Sequence, residues 1–132
     1  MTVVIDASLV LGVLTDDGRQ GLWAGEQLRQ RVLLAPALLP AEVASGLRRL
    51  SLAGRLRGGA AEIALAEASA LDVDLYPFAP FSDRVWELRD NLTTYDAWYV
   101  ALAEAHECPL ATLDRRLVAA VGPRCEFITI DG

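Results

Sequence analysis

Residues 93–117 read TTYDAWYVALAEAHECPLATLDRRL, a helical pattern followed by a strand pattern. The alanine-rich part, from about 94 to 106, has the small helix-forming residues of a closely packed helix. The apolar run 110–113 has the length of a buried strand. Each element carries an aspartate at its edge, Asp96 in the first turn of the helix and Asp114 directly after the strand. The stretch therefore predicts a helix-to-strand unit of an α/β fold, with a carboxylate at each edge.

The same alternation runs along the whole chain. The expected strands are 2–5, 32–35, 73–78, 110–113 and 126–130. The expected helices cover about 9–14, 20–30, 40–50, 60–71, 82–90 and 94–106, with Ser82 as the cap of the fifth. Parallel strands need a crossover, which a helix provides. The alternation therefore predicts an α/β fold in three layers, a mostly parallel central sheet of about five strands with helices on both faces.

The composition fits a single domain, residues 1–132. A chain of 132 residues with 53% hydrophobic residues can build one compact core and has no room for a second. No apolar run approaches the ~18 residues that span a bilayer. Asp6 interrupts the N-terminal apolar run before it could act as a signal peptide. We therefore expect a cytoplasmic protein that does not enter the membrane. We expect both cysteines, Cys108 and Cys125, to be reduced structural thiols, because they are not spaced as a zinc pair.

The charged residues exclude several classes of protein. The chain has 18 acidic and 12 basic residues and a net charge of -6, which argues against a broad basic face for nucleic acids. Every Lys or Arg position is arginine. A receiver domain needs a lysine near its last strand, and a nucleotide-binding P-loop needs one after its glycines, so both are excluded. A phosphatase of the haloacid-dehalogenase type needs a second aspartate where Ser8 stands.

Four carboxylates occupy positions where ligands collect in such folds. In open parallel sheets, ligands bind beyond the carboxyl ends of the strands, where the strand order reverses. Asp6 ends the first strand, and Asp114 ends the fourth. Asp96 begins the sheet-facing stripe of its helix, and Glu42 lies beside the apolar stripe of the third helix. Converging carboxylates repel one another, so a hard cation is their simplest partner. For each one taken singly, a helix cap or a solvated rim residue is an equally open interpretation.

Four motifs, in this order along the chain, resemble those of the PIN-domain nucleases, and within them the VapC-type toxins of toxin–antitoxin modules. The motifs are VIDAS at 4–8, LPAEV at 39–43, YDAWYVALAE at 95–104 and PLATLD at 109–114. The resemblance implies a PIN-like fold and metal-dependent cleavage of phosphodiester bonds in RNA. The positions that match the family's acidic ligands for Mg²⁺ or Mn²⁺ are Asp6, Glu42, Asp96 and Asp114.

The resemblance also implies supporting residues and partners. Ser8 and Thr112 match small hydroxyl residues that support the first and last carboxylates. Toxins of this kind usually dimerise and are silenced by a cognate antitoxin protein, so we expect an antitoxin, an RNA substrate and a homodimer. The arginines nearest the acidic motifs, our candidates for RNA contacts, are Arg48, Arg49, Arg115 and Arg116. For each of these, a solvated helix face or a site for antitoxin acids is the alternative.

Two questions stay open at this level. A PIN-like domain that binds RNA or protein without cutting is the alternative function, although the presence of all four acids weighs against it. A metal-dependent cleavage assay decides between the two. The aromatic residues could stack on bases or form a dimer interface, but in a small domain they are usually core; they are Trp23, Trp86, Trp98 and Tyr99. The sequence does not select the RNA target, or one metal ion over two.

Overall fold

A computed structural model describes residues 1–131. In these residues the strands are β1 (Thr2–Ile5), β2 (Val32–Pro36), β3 (Val73–Tyr76), β4 (Leu110–Ala111) and β5 (Phe127–Ile128). The α-helices are α1 (Ala7–Thr15), α2 (Arg19–Leu28), α3 (Leu39–Leu52), α4 (Ala60–Ser69), α5 (Ser82–Glu87), α6 (Thr94–Ala105) and α7 (Arg115–Ala119). A single 3-10 turn at Ala79–Phe81 precedes α5.

The strands form one parallel sheet in the order β3-β2-β1-β4-β5. The chain leaves β1 toward β3 through α1 to α4, then crosses back through α5 and α6 to β4 on the other side of β1. Crossovers between parallel strands are right-handed, so connections that run in opposite directions place their helices on opposite faces. The expected three-layer α/β fold is confirmed, and the strand order reverses between β1 and β4.

The core is centred on β1 and α6. Val3, Val4 and Ile5 have no exposed surface, and strands buried on both faces read as continuous apolar runs. Helix α6 packs across β1, β2 and β4, and all its residues from 97 to 103 are buried, which explains its small, apolar composition. Both cysteines are free thiols, as expected. No helix within residues 1–131 is long and apolar enough to cross a membrane.

Several predicted boundaries were wrong. Strand β3 ends at Tyr76 instead of 78, because Pro77 has no N–H to donate to a neighbouring strand. Strands β4 and β5 have only two residues each, because the chain turns away soon after the two strands meet. Helix α7 was not expected, because a helix of five residues is too short to show a periodic pattern.

The start of α5 also differs from the prediction. Ser82 is the first helical residue instead of the cap, and the cap position is held by Phe81, which makes no side-chain capping bond. The Ser82 hydroxyl instead donates to the carbonyl of Ala79 at 3.1 Å, because the 3-10 turn runs directly into the helix. The helix ends at Glu87 instead of 90.

Candidate active site

Asp6 lies at the carboxyl end of β1, the central strand. It is the N-cap of α1, and its Oδ1 accepts from the backbone N–H of Leu9 at 3.1 Å. Its side chain is buried, with only 7% of its surface exposed. Burial raises the pKa of Asp6 to about 6, although hydrogen bonds from Thr112 and Ser8 oppose the rise. Asp6 is therefore a helix cap, as one interpretation held, and at the same time an unusually buried carboxylate.

Two hydroxyl groups join Asp6 to the loop after β4. Ser8 Oγ donates to Asp6 Oδ1 at 2.7 Å and accepts from the Leu113 N–H at 3.0 Å. Thr112 Oγ1 donates to Asp6 Oδ2 at 2.5 Å and accepts from the Asp114 N–H at 2.9 Å. Both oxygens of Asp6 are thus held in place, and the two ends of the chain are connected through them.

Asp114 lies close enough to Asp6 for the two charges to interact. Because β1 and β4 are neighbours in the sheet, the residues that follow them emerge at the same edge. Asp114 is the N-cap of α7, and its Oδ1 accepts from the N–H groups of Arg116 at 2.9 Å and Leu117 at 3.4 Å. Its negative charge adds to the rise in the pKa of Asp6 that burial causes. Asp6 and Asp114 therefore lie at the same edge of the sheet, as their positions after neighbouring strands predict.

Asp96 lies in the first turn of α6 but is not the cap of that helix. The cap is Thr93, whose Oγ1 accepts from the Asp96 N–H at 3.1 Å. The Asp96 carboxyl group is half-buried. Its pKa is raised first by burial and then by the charge of Asp114, while Arg116 opposes the rise. Repulsion between Asp96 and Asp114 places Asp96 in the same electrostatic environment as the carboxylates at the strand ends.

Glu42 reaches the same region from the first turn of α3. Its Oε1 accepts a hydrogen bond of 2.5 Å from the hydroxyl of Tyr99. Burial raises the pKa of Glu42, and the charge of Asp96 adds to the effect. The pKa of Tyr99 is also raised, mainly by burial and by its bond to Glu42, and further by the charges of Asp6 and Asp96. We call Asp6, Glu42, Asp96 and Asp114 the carboxylate site.

Tyr99 is the site neighbour that the sequence did not reveal. It was grouped with the other aromatic residues, and only 2% of its surface is exposed, as expected for a core residue. Its position three residues after Asp96 places the two side chains on one face of α6, which was the available signal. A buried tyrosine that shares a helix face with a predicted metal ligand can therefore be predicted to donate a hydrogen bond to another acid of the same site.

The carboxylate site offers suitable donors for a metal ion but not a closed set of ligands. Among residues 1–131, no three Asp, Glu, His or Cys side chains stand close enough together to hold a metal ion. Three of the carboxylates instead accept hydrogen bonds from the protein; these are Asp6, Glu42 and Asp114. Carboxylate oxygens that repel one another in a partly buried site suit a hard divalent cation such as Mg²⁺ or Mn²⁺. The donor chemistry fits such an ion, and binding it would require the carboxylates to draw closer together.

Each of the two arginines that follow Asp114 lies near a carboxylate. Arg115 Nη2 lies 2.9 Å from Asp131 Oδ2. Arg116 Nε lies 4.0 Å from Asp114 Oδ1, and its charge acts on Asp96. The side chains of Arg115 and Arg116 are 83% and 96% exposed, so these ion pairs are weak and both arginines remain candidates for RNA contacts.

Comparison with known proteins assigns the fold to a family. The family described as PIN domain matches residues 3–122. Ribonuclease VapC9 of Mycobacterium tuberculosis is 41% identical over 97% of this chain and 98% of its own length. The chain belongs to the PIN domain family, in its VapC group. The family resemblance inferred from the motifs at 4–8, 39–43, 95–104 and 109–114 is therefore confirmed.

Solved structures of PIN domains have the same fold. VapBC2 from Rickettsia felis matches with a TM-score of 0.70 and 12% identity, covering 98% of each chain. A structure from Mycobacterium tuberculosis, described as VapBC-5 of the VapBC family of toxin–antitoxin systems, matches with a TM-score of 0.57 and 17% identity, covering 97% of this chain and 96% of its own. At these identities the likeness concerns the fold, and the PIN-like fold expected from the motifs is confirmed.

Proposed function

We propose that this PIN domain is a ribonuclease that cleaves phosphodiester bonds in RNA with Mg²⁺ or Mn²⁺, and that it is the toxin of a toxin–antitoxin pair. The observation that carries the proposal is the position of Asp6 and Asp114 at the carboxyl ends of β1 and β4, where the strand order reverses and where Ser8 and Thr112 join the two segments by hydrogen bonds. Relatives that are 41% identical over nearly the whole chain and are named ribonucleases support the same function.

In this proposal the carboxylate site holds the cation, and its neighbours orient it. A bound divalent cation would neutralise charge on the phosphodiester and make an attacking water more acidic. Ser8 and Thr112 hold both oxygens of Asp6, and Tyr99 holds one oxygen of Glu42. Partners of this kind orient metal-binding carboxylates and raise the affinity of the site for the ion.

Asp96 is the proposed base for the attacking water. It sits at the start of α6, and Thr93 already caps that helix, so the carboxyl group is not needed for capping. Its pKa is raised by burial and by Asp114, and a raised pKa makes a carboxylate a better proton acceptor near neutral pH. Asp96 would therefore accept the proton of the attacking water in addition to helping the other three acids hold the cation.

A cleavage assay tests the proposal. The purified chain should cut single-stranded RNA in Mn²⁺ or Mg²⁺ and not in EDTA. The variant Asp96→Asn should stay folded and lose more than ~100-fold in rate, because transition-state stabilisation through the metal falls by several kcal/mol. Asp83→Asn, an exposed acid in the first turn of α5, is the matched control and should cleave like wild type. A wild-type protein that binds RNA but leaves it intact in both metals would favour the non-catalytic alternative. An Asp96→Asn rate of a third or more of wild type would remove Asp96 from the proposed mechanism.

The proposed partner is a cognate antitoxin, as in the toxin–antitoxin system to which the similar VapBC-5 structure belongs. Co-expression with a neighbouring small gene should give a complex that co-purifies and has reduced nuclease activity. We further propose a homodimer that acts in the cytoplasm, where a toxin meets its RNA substrates; light scattering of the free protein tests the dimer. If the two proteins do not associate, the toxin role fails while the ribonuclease function stands.

A further inference from the structure

A surface cleft opens beside the carboxylate site, between α1 and the C-terminal end of α3. Its volume is about 530 Å³. Ser8 and Leu113 line it on one side, and Leu50 and Arg55 line it on another. Ser8 is the residue whose hydroxyl donates to Asp6. The cleft therefore begins at the carboxylate site and leads from it to the segment that follows α3.

That segment is the most basic part of the chain. Residues 48–57 read RRLSLAGRLR and contain four arginines and no acid. All four arginines are exposed. Within residues 1–131, none of them forms an ion pair with a carboxylate, whereas Arg115 and Arg116 both do. In a chain with a net charge of -6, unpaired arginines gathered in one segment create a local positive potential.

Arg49 lies on the same line of α3 as Glu42. Residues 42, 46 and 49 follow one another at helical spacings of four and three, so they share a face. Gly46 is buried on this face, where an added Cβ would lie 2.4 Å from Leu11 Cδ1, so α1 packs closely against α3 at this point. Arg49 is about 10 Å further along the helix axis than Glu42. One extended strand of a ligand at the carboxylate site can therefore reach Arg49.

The charges inside the cleft leave Arg55 free to bind an anion. Asp16 is the acid that lines the same cleft. Its Oδ1 accepts from the backbone N–H of Gly18 at 2.7 Å, so this oxygen is used in the turn between α1 and α2. The guanidinium group of Arg55 has no such partner among the carboxylates of residues 1–131.

We propose that this cleft, with Arg55 in its lining and Arg49 on the adjoining turn of α3, holds the backbone of the RNA strand on one side of the scissile bond. Arg49 precedes the lining residue Leu50, and its Nη1 donates to Ser45 Oγ at 3.2 Å, a neutral partner that a phosphate can replace. The inference rests on the proposed ribonuclease function and names the surface that the substrate uses. Guanidinium groups bind phosphate oxygens through two parallel hydrogen bonds. Contacts to phosphates position a strand without reading its sequence, so this surface sets affinity and register instead of target choice.

Binding and kinetics together test the inference. A labelled single-stranded RNA of mixed sequence is titrated with protein in EDTA, which prevents metal-dependent cleavage, at several salt concentrations. Arg49→Ala and Arg55→Ala should each weaken RNA binding several-fold. Each should also make the plot of the logarithm of the association constant against the logarithm of salt concentration less steep by about 0.7, the value for one phosphate contact with a single strand. In Mn²⁺, the same variants should raise KM and leave kcat within about twofold of wild type.

Arg29→Ala is the matched control, because it removes an exposed arginine next to the amino end of β2, at the opposite edge of the sheet. It should leave the slope and KM unchanged. If wild type cleaves RNA while Arg49→Ala and Arg55→Ala keep its slope and KM, the inference is wrong and the ribonuclease function stands. A wild type that does not cleave RNA in Mn²⁺ would remove the proposed function itself. If the variants weaken antitoxin binding but not RNA binding, the cleft is a protein-binding surface and the inference is also wrong.

Discussion

Tyr99 donates a hydrogen bond of 2.5 Å from its hydroxyl to Oε1 of Glu42, and so joins α6 to the first turn of α3 at the carboxylate site. The tyrosine ring is fully enclosed by the core, while the glutamate is half-buried. A rigid, buried donor restricts the rotamers of a side chain that would otherwise be free to turn toward solvent. The bond therefore fixes the Glu42 carboxylate relative to the buried core.

The variant Tyr99→Phe removes this bond and keeps the ring. Loss of a partner that orients a metal ligand typically lowers metal affinity by about 10- to 100-fold, so we expect a fall of that size in Mn²⁺ affinity, measured by calorimetry. Tyr95→Phe, at an exposed position one turn earlier in α6, is the control and should bind Mn²⁺ like wild type. Unchanged Mn²⁺ affinity in Tyr99→Phe would mean that the bond serves packing alone.

Divalent metal should stabilise the folded protein. An ion that binds only the native state adds about 2.7 kcal/mol to the free energy of unfolding at ~100 times its dissociation constant. Thermal melts in Mn²⁺ or Mg²⁺, against EDTA and against monovalent salt of equal ionic strength, measure this gain. Asp6→Asn should lose most of it. A wild-type melting midpoint that does not move in Mn²⁺ would count heavily against a metal site.

Without metal, the protein should become more stable as the pH falls from about 7 to about 5. The pKa of Asp6 is raised by burial from 3.8 to about 6, so the folded state holds this proton more tightly than the unfolded state. Stability therefore increases on acidification through the folded pKa, by about 1 kcal/mol at pH ~5 for Asp6 alone. Urea denaturation in EDTA at the two pH values measures the change.

The opposite behaviour, a loss of stability between these pH values, would contradict the burial argument for Asp6. The carboxylate of Glu104 does not reverse this gain in stability between pH ~7 and pH ~5. Burial raises the pKa of Glu104, but its bonds to Arg84 outweigh that effect and lower the pKa below 4.5, so its contribution is lost only at more acidic pH. Asp6→Asn, which cannot take up the proton, should show a smaller gain on acidification than wild type.

The sequence predicts the fold well where burial is continuous. The run Val3–Ile5 and the alanine-rich α6 are buried on all sides, so their composition alone identifies them. Prediction fails where structure depends on residues that meet only in the folded chain. Asp114 caps the short α7, and within residues 1–131 β5 pairs only with β4, so neither element has a local pattern long enough to be recognised from the sequence.

The candidate site was likewise predicted from the sequence only in part. Motif resemblance supplied the four acids and the two hydroxyl residues, and the structure shows hydrogen bonds to the carboxylates of Asp6, Glu42 and Asp114. The motif resemblance could not identify Tyr99 as the partner of Glu42, because the two residues are 57 positions apart. A tyrosine in a buried helix usually indicates packing alone. Nor could spacing show that Arg115 is paired with Asp131, which is a tertiary contact.

Two glycines of α2 should respond in opposite ways to the same substitution. At Gly21 an added Cβ would lie 1.6 Å from the carbonyl oxygen of Asp16, so Gly21→Ala must push α2 away from the preceding turn and should cost about 3 kcal/mol. At Gly25 a Cβ meets nothing within 4 Å, so Gly25→Ala should gain up to about 1 kcal/mol from helix propensity. Urea denaturation followed by circular dichroism compares them. Equal effects at the two positions would contradict the close approach at Gly21.

The hydrogen bond from Thr112 to Asp6 spans 106 positions of the sequence, so the site contains residues from segments that are made far apart in time. During translation β1 is made well before β4, its neighbour in the sheet. A chain whose synthesis has not yet reached β4 thus carries Asp6 and Ser8 but lacks Asp114 and Thr112, whose hydroxyl holds the second carboxylate oxygen of Asp6. For an enzyme that attacks RNA, this order of synthesis has a protective consequence: the ribosome that makes the protein is exposed to its activity only after β4 and Asp114 have been made and β4 has joined the sheet.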